Sequence, residues 1–138
     1  MREIKFRAWN NWDKKMVYQN DDHFVTNEIG NIGYEFCEEG GGGIEWKDKE
    51  NISLMQYTGL KDKNGNEIYE GDIVIHHYFH ETGTVIWQQS QSRYALEYLS
   101  DKKTQELFPI DTAMFEIIGN IYENPHLLNA KESTEKES

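Results

Sequence analysis

Three clustered histidines, His76, His77 and His80, are the side chains best placed in the sequence to bind a metal. On a strand, His76 and His80 would share one face, and Asp72 or Glu81 could add a carboxylate. A zinc site needs three or four converging ligands, and the sequence has neither a His-Glu-x-x-His pattern nor a cysteine pair. We therefore expect no metal and no cofactor, and a small metal-dependent hydrolase is the weakest functional alternative.

Carboxylates and a thiol are the next candidates for catalysis. Glu67, Glu70 and Asp72 lie within six residues, but a paired-carboxylate hydrolase needs two acids across a cleft, one of them kept protonated. The sequence around Gly71 is typical of a turn instead. Cys37 lies among glutamates, which disfavour the thiolate that a nucleophile requires. We predict no catalytic residues and a protein that is not an enzyme.

Two segments resemble ligand-binding loops without meeting their requirements. The run Gly40–Gly43 is not followed by Gly-Lys-Ser/Thr or by a helix start, so it lacks the groups that hold a phosphate. We interpret it as a flexible loop. The segment Asp62–Asn66 has the alternating oxygens of a calcium loop, but Glu67 stands where glycine is needed and Ile73 where glutamate is needed. It is better explained as a turn.

Aromatic and basic side chains remain as candidates for binding. Aromatic residues make up 13% of the sequence, and exposed aromatic residues commonly anchor protein interfaces. Residues 1–18 carry five basic and two acidic side chains, which either protect an edge strand from stray pairing or dock an acidic partner. The candidate interaction surface comprises Arg2, Lys5, Arg7, Trp9, Trp12, Tyr57 and Tyr69.

The elements that carry these residues are mostly strands. Residues 3–9 alternate between apolar and charged side chains, and residues 15–19 provide the partner strand of a hairpin. Residues 20–51 hold nine acidic and two basic side chains, and short strands are possible around Tyr34 and Trp46. This middle segment is therefore strongly acidic.

Turn signals in residues 53–75 organise the second half of the chain. Asn64-Gly65 predicts a two-residue type I′ hairpin turn, because both central positions of that turn need positive φ. Gly71-Asp72 then begins a strand over residues 73–79. Further strands are predicted over 83–88, 93–99, 106–110 and 115–122. Asn124-Pro125 predicts a helix N-cap and a single helical turn.

These patterns predict a mostly β fold. Short strands with frequent turns and almost no helical periodicity favour a closed or nearly closed barrel. We expect an N-terminal hairpin with a glycine-rich acidic insertion over residues 1–50, a barrel with a short C-terminal helical turn over residues 51–128, and a disordered tail over residues 129–138.

Composition restricts the partners and the location. The net charge of −11 disfavours direct binding to nucleic acid or to an anionic membrane. No stretch approaches the length of a membrane span, and the N-terminal residues lack the apolar core of a signal peptide. A single cysteine suits a reducing compartment, so we expect a cytoplasmic protein.

Four blocks of sequence resemble the YopX family of phage and prophage proteins. They are Met1–Trp9 (MREIKFRAW), Leu54–Gly65 (LMQYTGLKDKNG), Glu67–Val74 (EIYEGDIV) and Ile117–Pro125 (IIGNIYENP), in order along the chain. The resemblance implies that the C-terminal barrel is SH3-like and that the protein comes from a phage or prophage. It supplies no catalytic residues.

We therefore expect a non-enzymatic interaction or self-assembly module. The basic N-terminal edge, with a net charge of +3, and the acidic middle, with a net charge of −7, could complement each other in a homo-oligomer. A host or phage protein is a second possible partner. The alternative function is an acidic DNA mimic that inhibits a host nucleic-acid-binding protein.

Overall fold

The structure, a computed structural model, describes residues 4–19, 24–26, 32–47, 51–107 and 112–129. Within these residues the chain forms twelve strands: β1 (Phe6–Asn10), β2 (Lys15–Tyr18), β3 (Phe24–Thr26), β4 (Ile32–Glu38), β5 (Gly41–Lys47), β6 (Ile52–Lys61), β7 (Glu67–Tyr69), β8 (Asp72–His76), β9 (Glu81–Gln88), β10 (Arg93–Tyr98), β11 (Thr104–Glu106) and β12 (Phe115–Asn120). Short 3₁₀ turns cover Gln89–Gln91 and Pro125–Asn129. The prediction of a mostly β fold is confirmed.

The chain divides into two compact units. The N-terminal unit spans Ile4–Gln56 and the C-terminal unit begins at Tyr57, so that β6 contributes to both. The sequence predicted a boundary between residues 50 and 51, six residues before this division. Among the described residues, no helix has the length and apolar character needed to cross a membrane.

The predicted N-terminal hairpin is confirmed. β1 pairs antiparallel with β2 and, on its other side, with the first half of β6. The alternation in β1 predicted one buried face, but Arg7 and Trp9 on one face and Ala8 on the other are all buried. A strand paired on both edges lies inside its sheet, and here both of its faces are covered as well.

The middle segment contains a three-stranded sheet in the order β3-β4-β5. Gly41, Gly42 and Gly43 lie in β5 and pair with Glu38, Cys37 and Phe36 of β4. The prediction of a loop is therefore wrong for Gly41–Gly43, because ladder hydrogen bonds from β4 compensate the poor strand propensity of glycine. The turn into β5 does use glycine's freedom, with φ values of 99° at Gly40 and 140° at Gly41.

The C-terminal unit is built on a five-stranded antiparallel sheet in the order β11-β10-β9-β8-β12. Its apolar core comprises Ile68, Val74, Val85, Leu96, Tyr98, Leu107 and Phe115. The strands predicted over 83–88, 93–99 and 115–122 are confirmed with shifted ends. The strand predicted over 73–79 stops at His76, where a turn begins. Part of the strand predicted over 106–110 lies outside the described residues.

The turn between β6 and β7 differs from the prediction. The strands pair at Lys61 and Glu67, and the Gly65 N–H donates to the Asp62 carbonyl oxygen at 3.0 Å. Gly65 has a φ of 84°, whereas Asn64 does not have a positive φ, so the two-residue type I′ turn is wrong. A longer loop with one left-handed residue replaces it.

The predicted helical turn after Asn124 is confirmed as a 3₁₀ turn. The Asn124 carbonyl oxygen accepts from the Leu127 N–H at 3.0 Å, but its side-chain Oδ1 accepts from the Asn120 N–H at 3.1 Å. The side chain thus closes the preceding turn instead of capping the helical turn. The tail predicted to be disordered lies, from residue 130 onward, outside the described residues.

Candidate interaction surface

The Asp62 carboxylate is a structural group in the C-terminal unit. Its Oδ1 accepts from the N–H groups of Asn64 and Asn66, both at 2.9 Å, and its Oδ2 accepts from the Ile117 N–H at 3.0 Å. The neighbouring Lys63 N–H donates to the Phe115 carbonyl oxygen at 2.9 Å. Together these bonds give partners to two backbone groups of β12, the Ile117 N–H and the Phe115 carbonyl oxygen. The segment that resembled a calcium loop therefore uses its carboxylate for hydrogen bonds to the backbone.

These hydrogen bonds also change the acidity of Asp62. Burial opposes the charged form and would raise the pKa, but the N–H groups of Ile117, Asn66 and Asn64 stabilise the carboxylate. The net result is a pKa below the usual value of 3.8. Asp62 is therefore ionised at neutral pH and is unsuited to act as a catalytic acid.

Two more polar side chains of this segment are buried and bonded to backbone. The Thr58 hydroxyl donates to the Ile68 carbonyl oxygen at 2.8 Å. The Asp72 Oδ2 accepts from the Tyr69 N–H at 2.8 Å, and Asp72 is among the most buried residues of the chain. The polar side chains of Thr58 and Asp72 therefore stabilise the backbone of the segment from Tyr57 to Val74, and they are not exposed for contact with a partner.

The histidines shape the turn between β8 and β9. The buried His76 accepts at Nδ1 from the N–H groups of Tyr78 and Phe79, at 3.2 Å and 3.3 Å. The His77 Nε2 lies 2.8 Å from Glu116 Oε1. In the part of the chain that the structure describes, no three histidine, cysteine, aspartate or glutamate side chains converge as metal ligands would.

Most members of the predicted interaction surface are buried. Arg7, Trp9, Tyr57 and Tyr69 are each at most 8% exposed, so their side chains cannot contact a partner without rearrangement. Tyr57 and Tyr69 face each other across β6 and β7 with ring centroids 5.6 Å apart. Lys5 is half-buried and Arg2 lies outside the described residues. Trp12 alone among these aromatic residues is displayed, at 75% exposure.

The turn that displays Trp12 is well ordered by side-chain hydrogen bonds. Asn10 is buried, and its Oδ1 accepts from the N–H groups of Trp12 at 2.9 Å and Asp13 at 3.3 Å. Its Nδ2 donates to Asp13 Oδ2 at 3.2 Å. Lys14 adopts a φ of 54° and its Nζ donates to Asn11 Oδ1 at 2.7 Å. We call residues 11–15 the tryptophan turn.

Two further groups of exposed apolar side chains were not in the predicted surface. On β5, Ile44 and Trp46 are 43% and 45% exposed. At the β8–β9 turn, Tyr78 and Phe79 are exposed and their rings meet edge to face at 5.0 Å. The alternation Ile44-Glu45-Trp46 predicted a strand, but alternation by itself does not tell which face of a strand is covered.

Comparisons with known proteins find a matching family model and similar crystal structures. The family model described as YopX protein matches residues 5–129. The crystal structure of protein EF1440 from Enterococcus faecalis is similar, with a TM-score of 0.66 and 26% identity over 93% of this chain and 99% of that one. The crystal structure of protein yopX from Bacillus subtilis has a TM-score of 0.60 and 20% identity, over 92% of this chain and 98% of that one, and shows the fold alone. A search of curated proteins finds no match.

Proposed function

The chain belongs to the YopX protein family, and we propose that it is a non-enzymatic module that assembles with further copies of itself through the tryptophan turn. The observation that carries this proposal is the 75% exposure of Trp12 on a turn ordered by Asn10. A large aromatic side chain exposed on a turn whose backbone is held by hydrogen bonds is well suited to anchor an interface, since tryptophan is strongly enriched among interface hot spots.

The order of the tryptophan turn favours binding. A flexible loop loses conformational entropy when a partner immobilises it, whereas the bonds from Asn10 to Trp12 and Asp13 already hold this turn in the free chain. The adjacent side chains of Lys14 and Lys15 are exposed and give the turn a positive charge. The acidic segment 20–51 of a second copy, with its net charge of −7, is therefore a locally complementary partner for this turn.

Light-scattering mass of the purified protein tests the proposal. We expect the native chain, of 16.3 kDa, to form a multimer at low salt, and Trp12→Ala to lower the measured mass toward that of one chain. Trp87→Ala is the matched control, because Trp87 is also an exposed tryptophan but lies in the C-terminal unit. The control should keep the mass of the native protein.

High salt provides a second arm of the same measurement. Because exposed charges are screened at high ionic strength, a multimer held partly by charge should shift toward smaller species. A single-chain mass at both salt concentrations would overturn self-assembly. The net charge of −11 would then favour the acidic DNA mimic, which predicts that the protein displaces DNA from a host DNA-binding protein.

The proposal extends to the finer fold and to the origin of the protein. We take the five-stranded sheet of the C-terminal unit, with its mainly consecutive antiparallel neighbours, as the SH3-like barrel that the family resemblance implies. The same resemblance supports a phage or prophage origin. The single cysteine, Cys37, supports a cytoplasmic location.

A further inference from the structure

The outer face of the three-stranded sheet carries an apolar surface. Ile44 and Trp46 lie two positions apart on β5 and therefore point to the same side of the sheet. Gly33 of β4 pairs directly with Trp46. A Cβ at Gly33 would stand only 2.8 Å from Trp46 Cε3 and would also meet Ile44, so both side chains lie across the glycine. We call Gly33, Ile44 and Trp46 the β5 patch.

The opposite face of this sheet packs into the apolar core of the N-terminal unit, called here the N-terminal core, which comprises Ala8, Val17, Phe24, Ile32 and Ile52. Ile32 and Phe24 are almost fully buried, and the Phe24 and Tyr34 rings meet edge to face at 6.5 Å. Ile44 and Trp46 are 43% and 45% exposed, so the N-terminal core does not account for them. An apolar surface of this kind is a suitable receptor for a large aromatic side chain.

We propose, on the basis of the proposed function, that the β5 patch of one copy receives Trp12 of a second copy. Charge favours this occupant. The segment 32–47 that carries the patch has four glutamates and one lysine, a net charge of −3. The tryptophan turn brings exposed Lys14 and Lys15 beside Trp12. A basic turn docking on an acidic hairpin is electrostatically favourable.

The same charges disfavour a symmetric contact between two β5 patches. Glu39 is exposed at the turn of the hairpin that bears the patch, whereas Glu45 points to the opposite side of the sheet. A two-fold pairing would bring together two segments 32–47, each with a net charge of −3. In the contact of Trp12 with the β5 patch, each of the two copies contributes a different surface. Such head-to-tail contacts close into rings or continue as filaments, depending on the rotation between copies.

Charge-reversal variants at exposed positions test this pairing, since Glu39→Lys with Glu45→Lys changes the net charge of segment 32–47 from −3 to +1. Lys14→Glu with Lys15→Glu should reduce the association constant at least tenfold, and Glu39→Lys with Glu45→Lys should do the same. Mixing the two variants should restore assembly, because the acidic turn of one then meets the basic hairpin of the other. Lys63→Glu with Lys103→Glu is the matched control for the first variant, since it changes the net charge equally at exposed positions of the C-terminal unit.

The outcome separates this inference from the proposed function. If Trp12→Ala dissociates the native multimer but the hairpin variant keeps the native mass, self-assembly stands and the β5 patch is not the receptor. Failure of the mixed variants to associate also overturns the pairing, provided that each variant alone is folded by circular dichroism and a single chain by light scattering. If the native protein is a single chain at low salt, both self-assembly and the contact of Trp12 with the β5 patch are overturned. The patch would then be expected to bind a different protein.

Discussion

At the scale of single residues, buried polar side chains accept backbone N–H groups, both from distant segments and from the turn that follows them. Asp62 accepts three backbone N–H groups, one of them from Ile117, which lies 55 positions along the chain. Asn120 is buried and accepts at Oδ1 from the N–H groups of Tyr122 and Glu123 at 3.0 Å and 2.9 Å. Such bonds matter because a buried N–H without a partner is costly.

We expect Asp62→Ala to destabilise the protein by about 1–3 kcal/mol, because the N–H groups of Asn64, Asn66 and Ile117 lose one shared acceptor together. The matched control is Asp101→Ala. Asp101 is exposed and its carboxylate accepts the Lys103 N–H at 3.0 Å, so its loss should cost less than about 0.5 kcal/mol. Urea unfolding followed by tryptophan fluorescence measures both, and equal losses would contradict the structural role of Asp62.

The pKa of Asp62 predicts a specific pH dependence. Because hydrogen bonds hold this pKa below its unfolded value of 3.8, the charged carboxylate contributes stability that is fully present above that value. The contribution is lost as the pH falls through the folded pKa. The difference in unfolding free energy between the native protein and Asp62→Asn should therefore be largest above about pH 4 and shrink in more acidic solution. A difference that is constant with pH would contradict this.

At the scale of elements, glycines serve two different purposes. Gly65 lies at a φ of 84°, and a Cβ added there would meet nothing within 4 Å, so only its backbone conformation requires glycine. Gly33 does not have a left-handed φ, but its missing side chain leaves room for the Trp46 and Ile44 side chains to lie over β4. The first closes a hairpin, and the second creates the β5 patch.

Gly65→Ala should destabilise the protein by about 1 kcal/mol, since alanine is strained in the left-handed region although it meets no neighbouring atom. Asn64→Ala should change stability by less than about 0.5 kcal/mol, because Asn64 is exposed and its backbone N–H bond to Asp62 is retained. Thermal unfolding of the two variants side by side tests this. A larger effect at Asn64 than at Gly65 would indicate that the type I′ turn forms after all.

At the scale of the whole molecule, the two units differ in what they display. The N-terminal unit carries both the tryptophan turn and the β5 patch, so each copy has both halves of the proposed contact. The C-terminal unit carries most of the segments that resemble the family, and several of their polar side chains are used for hydrogen bonds within the unit. Assembly should therefore respond to changes in the N-terminal unit, and stability to changes in the C-terminal one.

The net charge of −11 predicts that the protein does not bind duplex DNA at physiological salt, because like charge opposes approach to the phosphates. A gel mobility-shift titration should leave the DNA unshifted, and Lys14→Glu with Lys15→Glu should behave like the native protein. Saturable retardation that this variant abolishes would show that the basic turn contacts nucleic acid, contrary to the expectation from charge.

The sequence by itself determined the elements that depend on local chemistry. The alternation in residues 3–9 and 15–19 predicted the first hairpin, and β-branched residues after Gly71-Asp72 predicted β8. It also indicated that Asp62–Asn66 is a turn and not a calcium loop. These inferences hold because strand alternation and turn preferences arise from interactions between residues close in sequence.

Only the tertiary structure decided which side chains are displayed. Arg7, Trp9, Tyr57 and Tyr69 belong to residue types that serve interfaces well, yet they are buried, while Trp12 and Trp46 are exposed. Likewise Gly41–Gly43 form a strand because β4 supplies their hydrogen-bond partners. Burial and pairing depend on segments distant in sequence, so the same residue types serve as core or as surface according to what the fold places against them.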